Sequence, residues 1–328
     1  MDIKQFVYDR AVEAKKGARE LGRASSQHKN NALLKMAALV RERAASLKAA
    51  NDKDMKLAEK KGLTSAMLDR LCLTDERIEE MAVGLEQVAS LPDPVGEITG
   101  MWDRPNKLKI GRMRVPIGVI AMIYESRPNV TADATALCLK AGNAVLLKGG
   151  SEAINSNRAI VDILRAAISD AGLHEGAVTF LDTPDRQAVQ EMLKLEGIID
   201  LVIPRGGEGL IRTVTENSRV PVLKHYKGVC HVFVDRDADL DMAESVVLNS
   251  KVQRPGTCNA METLLVDEPI AGEFLPRVIK KLRAEGVTTI KGCKRSVEIL
   301  GDIDSANEDD YNNEYLELEM SLKVVSGM

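Results

Sequence analysis

The chain has 328 residues, about two domains at ~150 residues per domain. Its 45 basic and 49 acidic side chains leave a formal charge of −4, and 3% of its residues are aromatic, so the composition argues against a nucleic-acid binder. No apolar run approaches the ~20 residues of a membrane-spanning helix, and the N-terminus lacks the hydrophobic segment of a signal peptide. Five widely spaced cysteines with no C-x-x-C pair indicate neither a disulfide framework nor a zinc site. We therefore expect a cytoplasmic protein with reduced thiols and no bound metal.

The first ninety residues predict a series of amphipathic helices. They are rich in Ala, Lys, Glu and Leu, and apolar residues such as Leu33 and Val40 recur at helical spacing. Thr64 with Met67 and Leu68 continues this pattern, and Thr74 stands where another helix would begin. After a break of two prolines and a glycine, residues 107–114 alternate polar and apolar side chains, as a half-exposed hairpin would.

The middle of the chain alternates short apolar runs with segments of helical periodicity. The apolar runs lie at residues 115–124, 144–147, 178–181, 198–203 and 231–234, and the helical segments include 154–171 and 185–195. Strands that are apolar on both faces are typical of a buried parallel sheet, so this pattern predicts a doubly wound α/β domain. Such folds bind ligands at the carboxyl ends of their strands. Another apolar segment, 315–325, lies so near the end of the chain that we expect more sequence to follow it normally.

A glycine-rich turn is the best candidate for a nucleotide site. Gly206 and Gly207 follow the apolar run 198–203 and precede a helical segment, although neither a Walker A motif nor a full G-x-G-x-x-G is present. Bare backbone there can approach a ligand, and a helix N-terminus favours a phosphate. A tight strand-to-helix turn with no ligand is an equally good interpretation.

Cys258 is the candidate nucleophile. Pro255 and Gly256 form a turn before it, and residues 259–262 could begin a helix whose dipole would favour the thiolate, with Arg254 as a positive neighbour. The alternative is an inert small side chain. His225 or His231 could act as a base for Cys258, or either could be a hydrogen-bonded structural residue.

A second polar segment, Tyr124-Glu-Ser-Arg-Pro-Asn-Val130, should lie at the carboxyl end of the strand before it. Asn129 in this segment could donate a side-chain N–H to a developing oxyanion. It could instead cap the helix that follows Pro128.

Taken together and in this order, several motifs resemble the gamma-glutamyl phosphate reductases of the aldehyde dehydrogenase superfamily. The motifs are Val115-Pro-Ile-Gly-Val-Ile, Tyr124-Glu-Ser-Arg-Pro-Asn-Val, Lys140-Ala-Gly-Asn-Ala-Val-Leu-Leu-Lys-Gly-Gly150, Ile203-Pro-Arg-Gly-Gly207, Gly228-Val-Cys-His-Val232 and Gln253-Arg-Pro-Gly-Thr-Cys-Asn. The resemblance implies an α/β fold with an open Rossmann-type cofactor domain, an α/β catalytic domain and a small oligomerisation hairpin. It implies an NADP-binding domain at residues 1–232 with the hairpin near 95–114, and a catalytic domain at 233–328 that is incomplete at its C-terminus.

The resemblance also implies an activity: reduction of L-glutamate 5-phosphate by NADPH to L-glutamate 5-semialdehyde and phosphate, in proline biosynthesis. Cys258 matches the nucleophile and Asn129 the oxyanion-stabilising asparagine. Lys148 takes the place of the lysine at the adenosine ribose, and Gly206 and Gly207 match the turn over the pyrophosphate. Glu314 falls where a glutamate holds the nicotinamide ribose, with Glu317 close by.

We further expect the substrate phosphate to be held by Arg127 and Arg254, because guanidinium groups match phosphate oxygens in pairs. Residues 222–228 contain no carboxylate where hydrolytic relatives carry a water-activating glutamate, which favours a phosphate-releasing enzyme. Glutamate 5-kinase is a candidate partner for substrate transfer. The family is expected to form homo-oligomers, weakened here by the shorter chain, whose own activity is in question.

Two other functions stay open on the sequence. One is a remnant that binds NADPH without turnover, and the other is a cysteine acyltransferase or hydrolase that uses Cys258 with a histidine and needs no nicotinamide cofactor.

Overall fold

The computed structural model describes residues 2–224 and 227–327, without the side chains of Ser65 and Ala66. The chain divides into two compact units, with the division between residues 224 and 225. Within the described ranges, every helix is too short or too polar to cross a bilayer.

The first unit begins with the helices that the sequence predicted. They are α1 (Ile3–Leu21), α2 (Ser26–Glu42), α3 (Ala44–Lys60), α4 (Ser65–Leu71) and α5 (Asp75–Ser90). Four of the five are capped at the residue before their first turn, where the side chains of Asp2, Ser25, Thr64 and Thr74 accept hydrogen bonds from backbone N–H groups. The predicted helix start at Thr74 is confirmed.

An antiparallel hairpin follows, as predicted within residues 95–114. Strands β1 (Ile98–Asp103) and β2 (Lys109–Met113) pair with each other and expose several large apolar side chains, including Met101, Trp102 and Met113.

The rest of this unit is the predicted doubly wound α/β fold. Its elements are β3 (Val119–Tyr124), α6 (Asn129–Lys140), β4 (Ala144–Lys148), α7 (Ile154–Asp170), β5 (Val178–Phe180), α8 (Gln187–Met192), β6 (Leu201–Arg205) and α9 (Glu208–Asn217). The four strands are parallel and lie in the order β5-β4-β3-β6.

Both faces of this sheet are covered. Strand β3 sends Ile120, Met122 and Tyr124 into one apolar core and Val119, Ala121 and Ile123 into a second one. Alternate side chains of a strand point to opposite faces, so a strand buried on both sides reads as the continuous apolar run seen in the sequence. Because the chain winds from β3 through β4 to β5 and then returns to the other side of β3, the strand order reverses between β3 and β6, where such sheets bind ligands.

The second unit is a smaller α/β layer. Its elements are β7 (Cys230–Val234), α10 (Leu240–Val252), β8 (Met261–Asp267), α11 (Glu268–Ala284), β9 (Thr289–Gly292), α12 (Lys294–Leu300), β10 (Asp304–Ser305) and β11 (Glu319–Val325). Its strands are parallel in the order β10-β9-β11-β8-β7, so β11 is inserted between β9 and β8.

Two expectations differ from the structure. The predicted domain boundary after residue 232 falls inside β7, which pairs with β8 and belongs wholly to the second unit. An apolar run shows that a strand is buried and does not show which sheet receives it. The helix predicted to begin at residues 259–262 is also wrong, since strand β8 begins at Met261.

Candidate active site

Three loops of the first unit meet at one edge of its sheet. In the parallel register Ile123 lies beside Lys148 and Tyr124 beside Arg205, so β3, β4 and β6 end side by side. The loops that follow these strands carry the polar segment after Tyr124, the lysine–glycine segment at Lys148 and the Gly206–Gly207 turn.

The Gly206–Gly207 turn presents a backbone N–H at the start of α9. The N–H of Gly207 donates to Oε2 of Glu125 at 3.0 Å. A Cβ atom added at Gly206 would lie 2.4 Å from the same carboxylate oxygen, whereas one added at Gly207 would meet nothing within 4 Å. The turn therefore already binds a negatively charged oxygen, which is the chemistry that a phosphate requires. The sequence did not identify Glu125, which follows the last residue of β3 and whose carboxylate binds the N–H of Gly207.

Lys148 is the last residue of β4 and is 6% exposed. Its ammonium group donates to the carbonyl oxygen of Gly149 at 2.9 Å. Burial lowers the pKa of Lys148, while the Coulombic attraction of Glu152 and Asp185 acts in the opposite direction. A buried ammonium beside bare glycine backbone fits a ribose or phosphate ligand.

Glu152 holds the turn between β3 and α6. Ser126 has a φ of 40°, a left-handed conformation that is costly for a non-glycine residue. Its N–H and hydroxyl groups both donate to Oε1 of Glu152, at 2.7 and 2.8 Å. The sequence carries no signal for this contact, because the two residues lie on different loops.

Asn129 is the first residue of α6 and is half-buried. Its Nδ2 donates to Oδ2 of Asp133 at 3.0 Å, one helical turn further on. Burial raises the pKa of Asp133, and the bond from Asn129 lowers it by less. The alternative of a side-chain cap is wrong, because the cap position is Pro128 and no side chain caps this helix. Arg127, in the preceding turn, is exposed.

Cys258 is exposed in the turn that joins α10 to β8. The turn is closed by hydrogen bonds from the hydroxyl of Thr257 to the carbonyl of Arg254 at 2.8 Å and from the N–H of Ala260 to the carbonyl of Thr257 at 3.0 Å. A strand and not a helix follows this turn, so the expected helix N-terminus beside Cys258 is wrong. Arg254 is exposed in the same turn.

Gly228, from one of the motifs of the resemblance, and the predicted cofactor residue Glu314 lie near Cys258. A Cβ atom added at Gly228 would lie 2.7 Å from the carbonyl oxygen of Cys258 and 3.3 Å from Oε1 of Glu314. The thiol of Cys230 donates to that carbonyl oxygen of Cys258 at 3.4 Å. The second unit therefore gathers Gly228, Cys258 and Glu314 in one place, although they are far apart in the sequence.

Two histidines were candidate bases for Cys258. His231 is exposed on β7, and His225 lies outside the described residues. Among the described residues no group of three or more His, Cys, Asp or Glu side chains could hold a metal ion.

Residues 3–317 match the profile of the aldehyde dehydrogenase family. This chain belongs to the aldehyde dehydrogenase family. Membership implies an oxidoreductase with a nicotinamide cofactor and a small-molecule substrate, and the Gly207 turn and Lys148 fit such a cofactor.

Similar proteins within the aldehyde dehydrogenase family are named gamma-glutamyl phosphate reductase. One from Thermodesulfovibrio yellowstonii is 59% identical over 328 residues, which are 100% of this chain and 78% of that protein. The crystal structure of one from Thermotoga maritima matches with a TM-score of 0.91 and 46% identity, over 98% of this chain and 77% of the other. One from Saccharomyces cerevisiae matches with a TM-score of 0.63 and 31% identity, over 97% of this chain and 80% of the other.

Proposed function

We propose that this chain reduces L-glutamate 5-phosphate to L-glutamate 5-semialdehyde and phosphate with NADPH, as a step of proline biosynthesis. The observation that carries the proposal is the gathering of exposed Cys258 with Gly228 and Glu314 in the second unit. The name shared by the similar proteins supports the same substrate.

Cys258 acts as the nucleophile. Its thiolate attacks the acyl carbon, the bond from that carbon to the phosphate oxygen breaks, and the phosphate leaves with the electron pair, so that a thioester remains on Cys258. NADPH, when bound, supplies the hydride that reduces this thioester. The carbon–sulfur bond then breaks, the aldehyde leaves, and Cys258 returns to a thiolate.

Polar groups assist the two steps. The Nδ2 amide group of Asn129 donates a hydrogen bond to the oxyanion, which replaces the bond that it donates to Asp133 in this structure. Arg127 and Arg254, both exposed, hold the substrate phosphate. The segment 222–228 contains no carboxylate that could activate a water molecule, which favours release of phosphate over hydrolysis of the thioester.

Four residues are assigned to the cofactor. Lys148 binds the adenosine ribose, and the Gly206–Gly207 turn lies against the pyrophosphate. Glu314 holds the nicotinamide ribose. The N–H of Gly207, which donates to a carboxylate in this structure, supports the assignment of an anionic ligand to the turn.

We also propose that the β1–β2 hairpin takes part in a homo-oligomer, because it exposes large apolar side chains such as Met101 and Met113. The proposed setting is the cytoplasm, with glutamate 5-kinase as the supplier of the acyl phosphate.

The reaction is best tested backwards. Glutamate semialdehyde, NADP and inorganic phosphate are mixed with the protein, and NADPH absorbance is followed. Phosphate-dependent NADPH formation that is lost in Cys258→Ser and kept in Cys230→Ser is the expected result, since Cys230 is the matched cysteine nearby.

Other results point to the alternatives. NADPH formation without phosphate would indicate a hydrolytic dehydrogenase. NADPH binding without turnover would indicate a binding protein, and thioester hydrolysis without cofactor binding would indicate a cysteine hydrolase.

A further inference from the structure

A buried ion pair lies behind the Cys258 turn. The ammonium of Lys251 is 3.0 Å from Oε2 of Glu262, and their side chains are 0% and 1% exposed. Removing two charges from water is costly, so a buried ion pair is seldom more stabilising than an apolar pair of similar volume. Stability alone therefore does not explain why charges are placed here.

The pair joins the two ends of the turn that carries Cys258. Lys251 lies in the last turn of α10, just before it, and Glu262 is the second residue of β8, just after it. The exposed turn is thus anchored on both sides by one contact in the interior.

The other oxygen of Glu262 binds the segment that carries Glu314. Oε1 of Glu262 accepts a hydrogen bond from the N–H of Leu316 at 3.2 Å. Leu316 has a φ of 56°, a left-handed conformation that is costly for a non-glycine residue. A conformation of that cost persists only where its surroundings hold it.

The same segment contacts the Cys258 turn directly. A Cβ atom added at Gly256 would lie 3.7 Å from the carbonyl oxygen of Leu316. On the other side of Leu316, the carboxylate of Glu314 lies near Gly228, which also approaches the carbonyl of Cys258. The buried carboxylate of Glu262 therefore contacts both Lys251, at one end of the Cys258 turn, and the backbone N–H of Leu316, two residues after Glu314.

We infer that Lys251 and Glu262 are positioning residues that set the Glu314 segment against the Cys258 turn. Lys251 orients the carboxylate, and the carboxylate holds Leu316 in its left-handed conformation, which fixes the direction of Glu314. This inference rests on the proposed function, in which Glu314 binds the nicotinamide ribose.

The test compares two double variants that both remove the buried charges. Lys251→Met/Glu262→Gln keeps a carbonyl oxygen that can accept from the N–H of Leu316, and Lys251→Met/Glu262→Leu does not. Measurements are the melting temperature, amide hydrogen exchange at Leu316, and the dissociation constant of NADPH.

We expect the two double variants to have similar melting temperatures. In the leucine variant, exchange at Leu316 should accelerate and NADPH binding should weaken, each by about tenfold, which corresponds to about 1.4 kcal/mol. The glutamine variant should stay within about twofold of the unmodified chain. Equal exchange rates and equal NADPH affinities in the two variants would overturn the inference, because a purely structural pair would not distinguish them.

The inference stays testable if the leucine variant does not fold or if the unmodified chain does not bind NADPH. If the leucine variant does not fold, the single variant Glu262→Gln replaces it in the test. In this variant Lys251 and the N–H of Leu316 compete for one carbonyl oxygen, so amide exchange at Leu316 should accelerate about threefold. An unchanged exchange rate overturns the inference. If the unmodified chain does not bind NADPH, the proposed function fails, and exchange at Leu316 alone decides the positioning role.

Discussion

Replacing Asp54 with asparagine tests how the loop after β4 is held in place. Asp54 lies on α3 and is 1% exposed. Its Oδ1 accepts from the N–H and Nδ2 of Asn155, at 3.2 and 2.7 Å, and its Oδ2 accepts from the N–H and hydroxyl of Ser156, both at 2.7 Å. These bonds hold the start of α7, a few residues after Lys148.

The cost follows from these bonds. Asparagine turns one accepting oxygen into an NH₂ group, which then faces donors, so two hydrogen bonds to a charged group are lost at roughly 1.5 kcal/mol each. We expect Asp54→Asn to reduce the free energy of unfolding of the first unit by about 3 kcal/mol. For a unit of this size that is a fall of roughly 6–12 °C in melting temperature.

Urea and thermal unfolding followed by circular dichroism measure this loss. Asp52→Asn is the matched control, because Asp52 lies on the same helix and is exposed. We expect the control to stay within about 0.5 kcal/mol of the unmodified chain. A loss below about 1 kcal/mol for Asp54→Asn, or one equal to the control, would refute the assignment of Asp54 as the anchor of α7.

Three further predictions concern charge. Glu125→Gln should tighten NADPH binding about threefold, measured by NADPH fluorescence, because the carboxylate competes with a pyrophosphate for the N–H of Gly207; weaker binding would contradict this. Lys148→Met should weaken NADPH binding about tenfold in the same titration, and unchanged binding would remove Lys148 from the cofactor site. The ammonium of Lys291 lies 2.7 Å from Oδ1 of Asp310 and holds the pKa of the Asp310 carboxyl below its ordinary value. The ion pair therefore stabilises the second unit at pH values above the ordinary pKa of aspartate, and this stabilisation is lost as the pH falls through the lowered pKa of Asp310. Asp310→Asn should therefore lower the urea midpoint at neutral pH and not in strong acid, and a pH-independent difference would contradict the assignment.

Patterns within a single element could be predicted from the sequence. The amphipathic helices, the β1–β2 hairpin and the strands of the first sheet follow from local periodicity and from capping residues such as Thr74. The position of Gly207 at the start of α9 also followed from local order, since a strand, a glycine turn and a helical pattern succeed one another there.

Contacts between distant segments could not be predicted in this way. Glu152 supports Ser126 from another loop, and Glu262 on β8 supports Leu316 in the segment before β11, with no periodic signal to connect either pair. A turn that ends in Asn-Ala can precede either a helix or a strand, and the pairing of β8 with β7 and β11 makes the segment after Cys258 a strand.

The place of β11 in the second sheet has a consequence for biosynthesis. All strands of the first sheet precede residue 224, so that unit can complete its hydrogen bonding while the ribosome is still translating the rest. Strand β11, at 319–325, is the one that joins β9 to β8, so the two halves of the second sheet stay apart until it emerges. At about 5–20 residues per second, the nascent chain carries these unpaired edges for several seconds or more. During that interval chaperones have the greatest opportunity to bind, and a ribosome stalled before residue 319 would display the exposed edges of β8 and β9.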